Sequence, residues 1–165
     1  MWIYLLRHGV AEEPRAGLTD EQRALTEEGM EKLRRASPAW RRLVHTPSVV
    51  MCSPLVRARQ TATQFVQAVD CAVDLQIDDA LTPGADPSRA LTALEGEMLS
   101  RTDSVAVVGH EPHLGYLLGA LLTGHPRQSI PLKKGMLVGL QVEGATTILA
   151  GLRFSLSTKA AAQLT

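Results

Sequence analysis

The amino-acid sequence predicts an α/β fold: a single three-layer α/β/α domain over residues 1–165, with a mainly parallel sheet and an antiparallel C-terminal edge hairpin. Three observations lead there. Short apolar runs alternate with helical patterns along the chain. Three of those runs, Trp2–Leu6, Val49–Cys52 and Ser104–Val108, are apolar almost throughout, as suits strands covered on both faces. The last two strand candidates are separated only by a short turn segment. At 165 residues and 45% hydrophobic content, the chain can bury one sizeable core.

Taken in order, Trp2–Leu6 opens the sheet. A helix follows over Glu27–Arg35, with Thr26 as its cap and Glu27 and Glu28 in the first turn. Ser37-Pro38 is expected to break it, leaving a second helix, Pro38–Val44, capped by Ser37. Val49–Cys52 is the second strand and runs into a helix over Leu55–Val69, with Ser53 as N-cap and Pro54 at the first helical position. Val73–Ile77 is a third strand. Between Ile77 and Ser104 there is room for one helix, Ser88–Leu99, and a Pro/Gly loop, so no large lid insertion is expected. Ser104–Val108 leads to a helix over Leu114–Leu122. Leu137–Val142 and Thr146–Leu152, turning around Glu143-Gly144-Ala145, form the closing hairpin. Residues from about 153 to 165 carry little to bury and are expected to fray.

Charge narrows the function. Lys and Arg number 17 and so do Asp and Glu, which leaves no electrostatic footprint for nucleic acid or an acidic membrane. Any affinity for anions must therefore be local. Cys52 and Cys71 fit neither a disulfide framework nor a metal knuckle, and Cys52 reads as a buried free thiol. The first apolar run is shorter than a signal-peptide core, and no stretch approaches a membrane span, so a cytoplasmic location is expected.

Chemistry gathers at three strand ends. The first strand exits into Arg7-His8-Gly9, which offers a permanent cationic fork, an imidazole and a backbone that a ligand can approach closely. The fourth exits into Gly109-His110-Glu111-Pro112, a second glycine–histidine pair. Arg57 lies about one turn into the helix after the second strand and can reach the same crevice, whereas Arg59, about 200° further round, faces away. Two guanidiniums match the charge of a phosphoryl group, about −1.5 to −2 near pH 7. They also disfavour the imidazolium form, keeping one histidine neutral enough to attack phosphorus. The second imidazole is expected to stay protonated and donate to a phosphoryl oxygen. The set Arg7, His8, Arg57 and His110 requires neither a metal nor an organic cofactor. Arg23 is a further candidate for reaching phosphate. Glu111 is a candidate proton donor, or equally a carboxylate that favours the start of the following helix. His113 lies close to His110 and Glu111 in the sequence, but the spacing is not that of a metal site.

These segments resemble the histidine phosphatase superfamily, whose signature is the Arg-His-Gly after the first strand. The stretches Ser53-Pro54-Leu55-Val56-Arg57-Ala58-Arg59-Gln60-Thr61 and Val108-Gly109-His110-Glu111-Pro112 are similar to those of its SixA-type branch. The resemblance runs from Met1 to about Leu152. It implies a phosphorylated nucleophile at His8, with Arg7, Arg57 and His110 holding the phosphate, and a histidine-containing phosphoprotein as partner. Many relatives carry a carboxylate donor some two dozen residues past the Arg57 position. Here Ala80-Leu81-Thr82-Pro83-Gly84 supplies threonine and proline, with Asp79 nearby. A protonated imidazole leaves readily without a strong acid, so the departure favours phosphohistidine over alcohol esters. The alternatives are a small-molecule phosphomonoesterase or mutase on the same scaffold, and a non-catalytic phosphate-binding module. Arg34, Arg35, Arg41 and Arg42 form a basic helical face; its position relative to the pocket decides whether it can dock an acidic partner.

Overall fold

A computed structural model describes residues 1–142, 144 and 148–164. Six strands form one sheet in the order β3-β2-β4-β1-β5-β6: β1 Trp2–Arg7, β2 Val49–Cys52, β3 Leu75–Ile77, β4 Ser104–Gly109, β5 Leu137–Val142 and β6 Ala150–Leu156. The first four run parallel, β5 is antiparallel to β1, and β6 is antiparallel to β5, so the predicted α/β class and its antiparallel edge hairpin both hold.

Side-chain alternation along the strands divides the core in two. Tyr4, Leu6, Val50, Cys52, Ala106 and Val108 point to one face, where α1 (Glu27–Leu43), α2 (Val56–Ala68) and α5 (Thr158–Ala161) pack. Ile3, Leu5, Met51, Val105 and Val107 point to the other, covered by α3 (Pro87–Leu99) and α4 (His113–Thr123). The chain leaves β1 toward α1 and leaves the adjacent β4 toward α4, on the opposite face. A crevice therefore opens between the carboxyl ends of β1 and β4, where open α/β sheets bind their ligands.

Four expectations need correction. Ser37-Pro38 does not break the first helix; α1 continues from Glu27 to Leu43 with Pro38 inside. Gly29, Leu33, Ala36 and Trp40 form one buried stripe across the proline, and the Ser37 hydroxyl donates to the Leu33 carbonyl at 3.0 Å. Packing along that stripe outweighs an internal proline's cost of about 3 kcal/mol. Ser53 is not the cap of α2, which begins at Val56 after Leu55, without a side-chain cap. The last strand is displaced toward the C-terminus, to Ala150–Leu156, because Val142 pairs with Ala150 and the connection is longer than a tight turn. The predicted turn residues Glu143 and Ala145, and the predicted strand start at Thr146, lie outside the described residues.

Nor does the tail fray. Residues 153–156 complete β6, and Ser157 caps α5 by accepting from the Ala160 amide at 3.2 Å. Leu156 and Ala161 are buried against the α1 face.

The start of α1 is pinned beside the crevice. Thr26 donates its amide to the Val10 carbonyl at 3.0 Å and caps the helix by accepting from the Gly29 amide. A Cβ at Gly29 would collide with that same Val10 carbonyl. Gly29→Ala should therefore destabilise the fold by about 1–3 kcal/mol despite alanine's better helix propensity. Chemical denaturation reads this directly; a gain in stability would contradict the packing described.

Candidate active site

Strand register assembles the crevice. Arg7 lies level with Gly109 across the β1–β4 ladder, and Cys52 with Val108 across β2–β4. The next residues, His8, His110 and Ser53, therefore emerge side by side. Their backbones stay tied: His8 donates its amide to the Gly109 carbonyl at 3.0 Å, and Ser53 to that of Val108 at 3.1 Å.

His8 is buried, and its Nδ1 lies 2.7 Å from the Gly9 carbonyl oxygen. A carbonyl only accepts, so Nδ1 carries the hydrogen and Nε2 is left with its lone pair. Gly9 is held in turn, donating its amide to Thr61 Oγ1 at 3.1 Å. Burial pushes the His8 pKa down to about 4; the Gly9 carbonyl opposes the shift, while Arg57, Arg7 and Lys134 add to it. At neutral pH the ring is an uncharged base.

The ring of His110 lies 5.0 Å from that of His8, centroid to centroid. Its Nε2 is paired with Ser53 Oγ at 2.8 Å. Its pKa falls to about 3, chiefly through burial, with His8, Arg57 and His113 adding to the shift and Asp20 opposing it. The expectation of a protonated second imidazole is thus corrected for the unliganded pocket, where burial and neighbouring cations hold His110 neutral. Ser53, read from sequence as a helix cap, serves instead as the partner of this ring.

Arg7, His8, Arg57 and His110 line one cavity of about 290 Å³, together with Arg23 and Glu111. Arg57, 4% exposed, directs Nη1 to the Asp20 carbonyl at 2.5 Å and Nη2 to Asp20 Oδ2 at 2.8 Å. Asp20 Oδ1 accepts from Arg23 Nη1 at 2.7 Å, and Arg23 Nε donates to the Glu12 carbonyl. The hydrogen bond from Arg57, reinforced by Arg23, holds the Asp20 carboxyl below its ordinary pKa, so it is ionised. Arg7 Nη1 donates to the Leu132 carbonyl at 2.6 Å, while its buried Nε has no partner. Burial lowers the Arg7 pKa and the Glu111 charge opposes this.

Glu111 lies between the cavity and the start of α4. It faces the cavity, yet Oε1 accepts from the Leu132 amide at 3.1 Å and the carboxylate also meets the Gly115 amide in the first turn of α4. Burial raises its pKa. Pro83 lines the pocket, so the segment that lacks a carboxylate does reach the site. His113 is buried under the Ala80 carbonyl and does not line the cavity. Among the described residues, no group of His, Cys, Asp or Glu could hold a metal ion.

Sequence reading passed over Asp20, and the signal for it was slight. Asp20-x-x-Arg23 spacing lets a carboxylate meet a guanidinium one turn on, but it lies in a segment without periodicity. Lys134 completes the pocket rim, fastened because the Gly135 amide reaches the Arg7 and His8 carbonyls at 3.1 and 3.0 Å.

The family model for the histidine phosphatase superfamily (branch 1) matches residues 3–82. An uncharacterized protein of Picosynechococcus sp. is 30% identical over 150 residues, covering 91% of this chain and 90% of its own length. The chain belongs to the histidine phosphatase superfamily. It is also similar to the phosphohistidine phosphatase SixA of Escherichia coli, 27% identical over 124 residues, covering 75% of this chain and 76% of that protein. The solved structure of protein histidine phosphatase SixA with tungstate shares the fold at a TM-score of 0.85 and 22% identity, covering 96% of this chain and 98% of the other. A mycobacterial glucosyl-3-phosphoglycerate phosphatase shares it too, at a TM-score of 0.67 and 16% identity over 92% of this chain and 96% of the other. Membership supports a phosphatase; among the described residues, no helix is long and apolar enough to cross a membrane.

The two histidines couple the site to stability. Both are neutral when folded well below the ordinary histidine pKa of 6.5, so the unfolded chain binds more protons. Their stabilisation is complete above about pH 6.5 and is lost as pH falls toward 4. Unfolding near pH 5 should take up about two protons from these residues. Denaturant titrations from pH 7 to 4.5 measure the slope, which His8→Ala and His110→Ala should each reduce; a slope indifferent to both changes would refute the assignment.

Proposed function

We propose that this chain is a phosphohistidine phosphatase, removing phosphate from a protein-borne histidine through a covalent intermediate on His8. The observation that carries the reading is the His8 ring itself, neutral, tethered through Nδ1 to Gly9, with Nε2 free among guanidiniums.

In the first half-reaction the Nε2 lone pair attacks phosphorus. The bond between phosphorus and the substrate imidazole breaks, and its electron pair leaves with that ring. If the leaving imidazole is already protonated at its other nitrogen, it departs neutral. Arg7, Arg57 and Arg23 offset the charge on the phosphoryl oxygens as it spreads in the transition state. A bound dianion also favours the charged form of His110, so proton uptake there accompanies binding and supplies another donor. In the second half-reaction water attacks phosphorus. The bond to His8 Nε2 breaks, its electrons return to the ring, and the proton from water leaves with the phosphate product or solvent.

The substrate class rests on the proton donor. An alkoxide leaving group gains about 10²–10⁴-fold from general acid catalysis. In the segment where many relatives carry that acid, this pocket is lined by Pro83, and the Glu111 carboxylate is engaged by two backbone amides. A small-molecule phosphomonoesterase is the second reading, favoured by the presence of Glu111 with its raised pKa in the pocket. The partner protein, the requirement for no cofactor and the cytoplasmic setting belong to the proposal.

The test compares a protein phosphorylated on histidine with phosphoglycerate and sugar phosphates. Phosphohistidine should give the highest kcat/KM, and ³²P should be trapped on His8 during turnover. His8→Ala should lose at least about 10³-fold, as removal of a covalent nucleophile does. Glu111→Gln should change phosphohistidine turnover less than about threefold, well short of the loss of a general acid. A preference for sugar phosphates with a strong Glu111→Gln effect would favour the second reading. Equal dephosphorylation by wild type and His8→Ala would refute both.

A further inference from the structure

Beside the catalytic pocket runs a second cleft, about 500 Å³, in which Lys32, Arg35, Lys134 and Lys159 are the charged lining residues. Among the described residues, no acidic one lines the cleft, although the chain as a whole carries no net charge. Lys134 lines both this cleft and the catalytic cavity, and Val10, two residues after His8, lies in its wall. Lys134 is therefore a shared wall between the cleft and the catalytic pocket.

The fold builds this arrangement. The pinning of Thr26 and Gly29 on the Val10 carbonyl sets α1 alongside the pocket. Lys32 and Arg35, three residues apart, then project from one side of the following turns. The opposite wall is α5, held by buried Ala161, which brings in Lys159. Two other arginines of the basic helical face have different partners: Arg41 approaches Asp70 at 3.5 Å, and Arg42 donates to the Leu164 carbonyl at 2.8 Å. Lys32 and Arg35 pair with Glu28 and Glu31 on their own helix. These pairs are solvent-exposed, contribute little, and can be exchanged for an incoming carboxylate.

We infer that this cleft docks an acidic segment of the same protein that presents the phosphorylated histidine to His8. The inference rests on the phosphohistidine reading and adds a partner chemistry to it. Charge complementarity argues for an acidic polypeptide. Among the described residues, the lining offers no aromatic side chain on which nucleic-acid bases could stack. A docking charge outside the pocket raises the encounter rate and selects partners without altering the chemical step.

Two synthetic peptides, phosphorylated on their single histidine with phosphoramidate, provide the test. One carries a run of Asp and Glu beside the histidine, the other Asn and Gln at the same positions; phosphoimidazole is the small control. The acidic peptide should show kcat/KM about tenfold higher at low salt, an advantage that shrinks as KCl screens the charges. Lys32→Glu/Arg35→Glu/Lys159→Glu should abolish the preference while leaving phosphoimidazole turnover within about twofold, as expected for groups acting on encounter. Arg35→Ala alone should reduce the preference in part, with less perturbation of the helix. If the acidic peptide has no advantage, or the triple variant retains it, the docking inference is overturned while the phosphohistidine reading stands. If a single-stranded oligonucleotide competes better than the acidic peptide at equal charge, the partner is misassigned and the inference also fails. If neither peptide nor phosphoimidazole is hydrolysed, the phosphohistidine reading fails and the docking inference falls with it.

Discussion

The hydrogen bond between His8 Nδ1 and the Gly9 carbonyl determines which nitrogen faces the pocket. Without it, a buried imidazole among guanidiniums would still be neutral, because burial and positive neighbours both oppose its protonation. It would not, however, be committed to one tautomer. The bond presents the Nε2 lone pair, and Thr61 fixes the backbone that makes it by accepting from the Gly9 amide. Thr61 also donates to the Arg57 carbonyl at 2.7 Å, so α2 supports the imidazole and carries the Arg57 guanidinium that lines the same cavity. Two elements far apart in sequence thereby converge on one cavity.

Electrostatic balance accounts for much of the remaining geometry. Arg7, Arg23, Arg57 and Lys134 surround a small cavity, and their mutual repulsion would splay them if nothing intervened. Asp20 lies between Arg23 and Arg57 and binds both, offsetting that repulsion while leaving each planar fork with unused donors. The loop bearing Asp20 is fastened separately to α2, through the Val56 amide to the Glu21 carbonyl and the Leu25 amide to Gln60 Oε1. The carboxylate is therefore part of the framework that holds the guanidiniums at the cavity.

Much of this was readable from residues alone, for identifiable reasons. Arg7-His8 and Gly109-His110 follow apolar runs whose strand character is strong, so their place at one sheet edge follows from parallel pairing. Arg57 could be aimed at the crevice because helical geometry places it one turn into α2. Other features depended on contacts distant in sequence. Pro38 reads as a breaker until the stripe through Leu33 and Trp40 is seen to hold α1 together. Residues after 153 look dispensable until α5 is found against α1. Asp20 lies in an irregular segment and acquires its role only from Arg57, thirty-seven positions away. His110 reads as a charge carrier from sequence, but the depth of its burial is a property of the folded crevice.

The tautomer and charge of His8 decide whether Nε2 can act as a nucleophile, and ¹⁵N NMR of the unliganded protein, selectively labelled at histidine, measures both. A neutral ring, protonated at Nδ1 and bare at Nε2, is predicted throughout pH 7 to 5.5, with titration beginning only toward pH 4. A ring protonated at Nε2, or an imidazolium at pH 6, would contradict it.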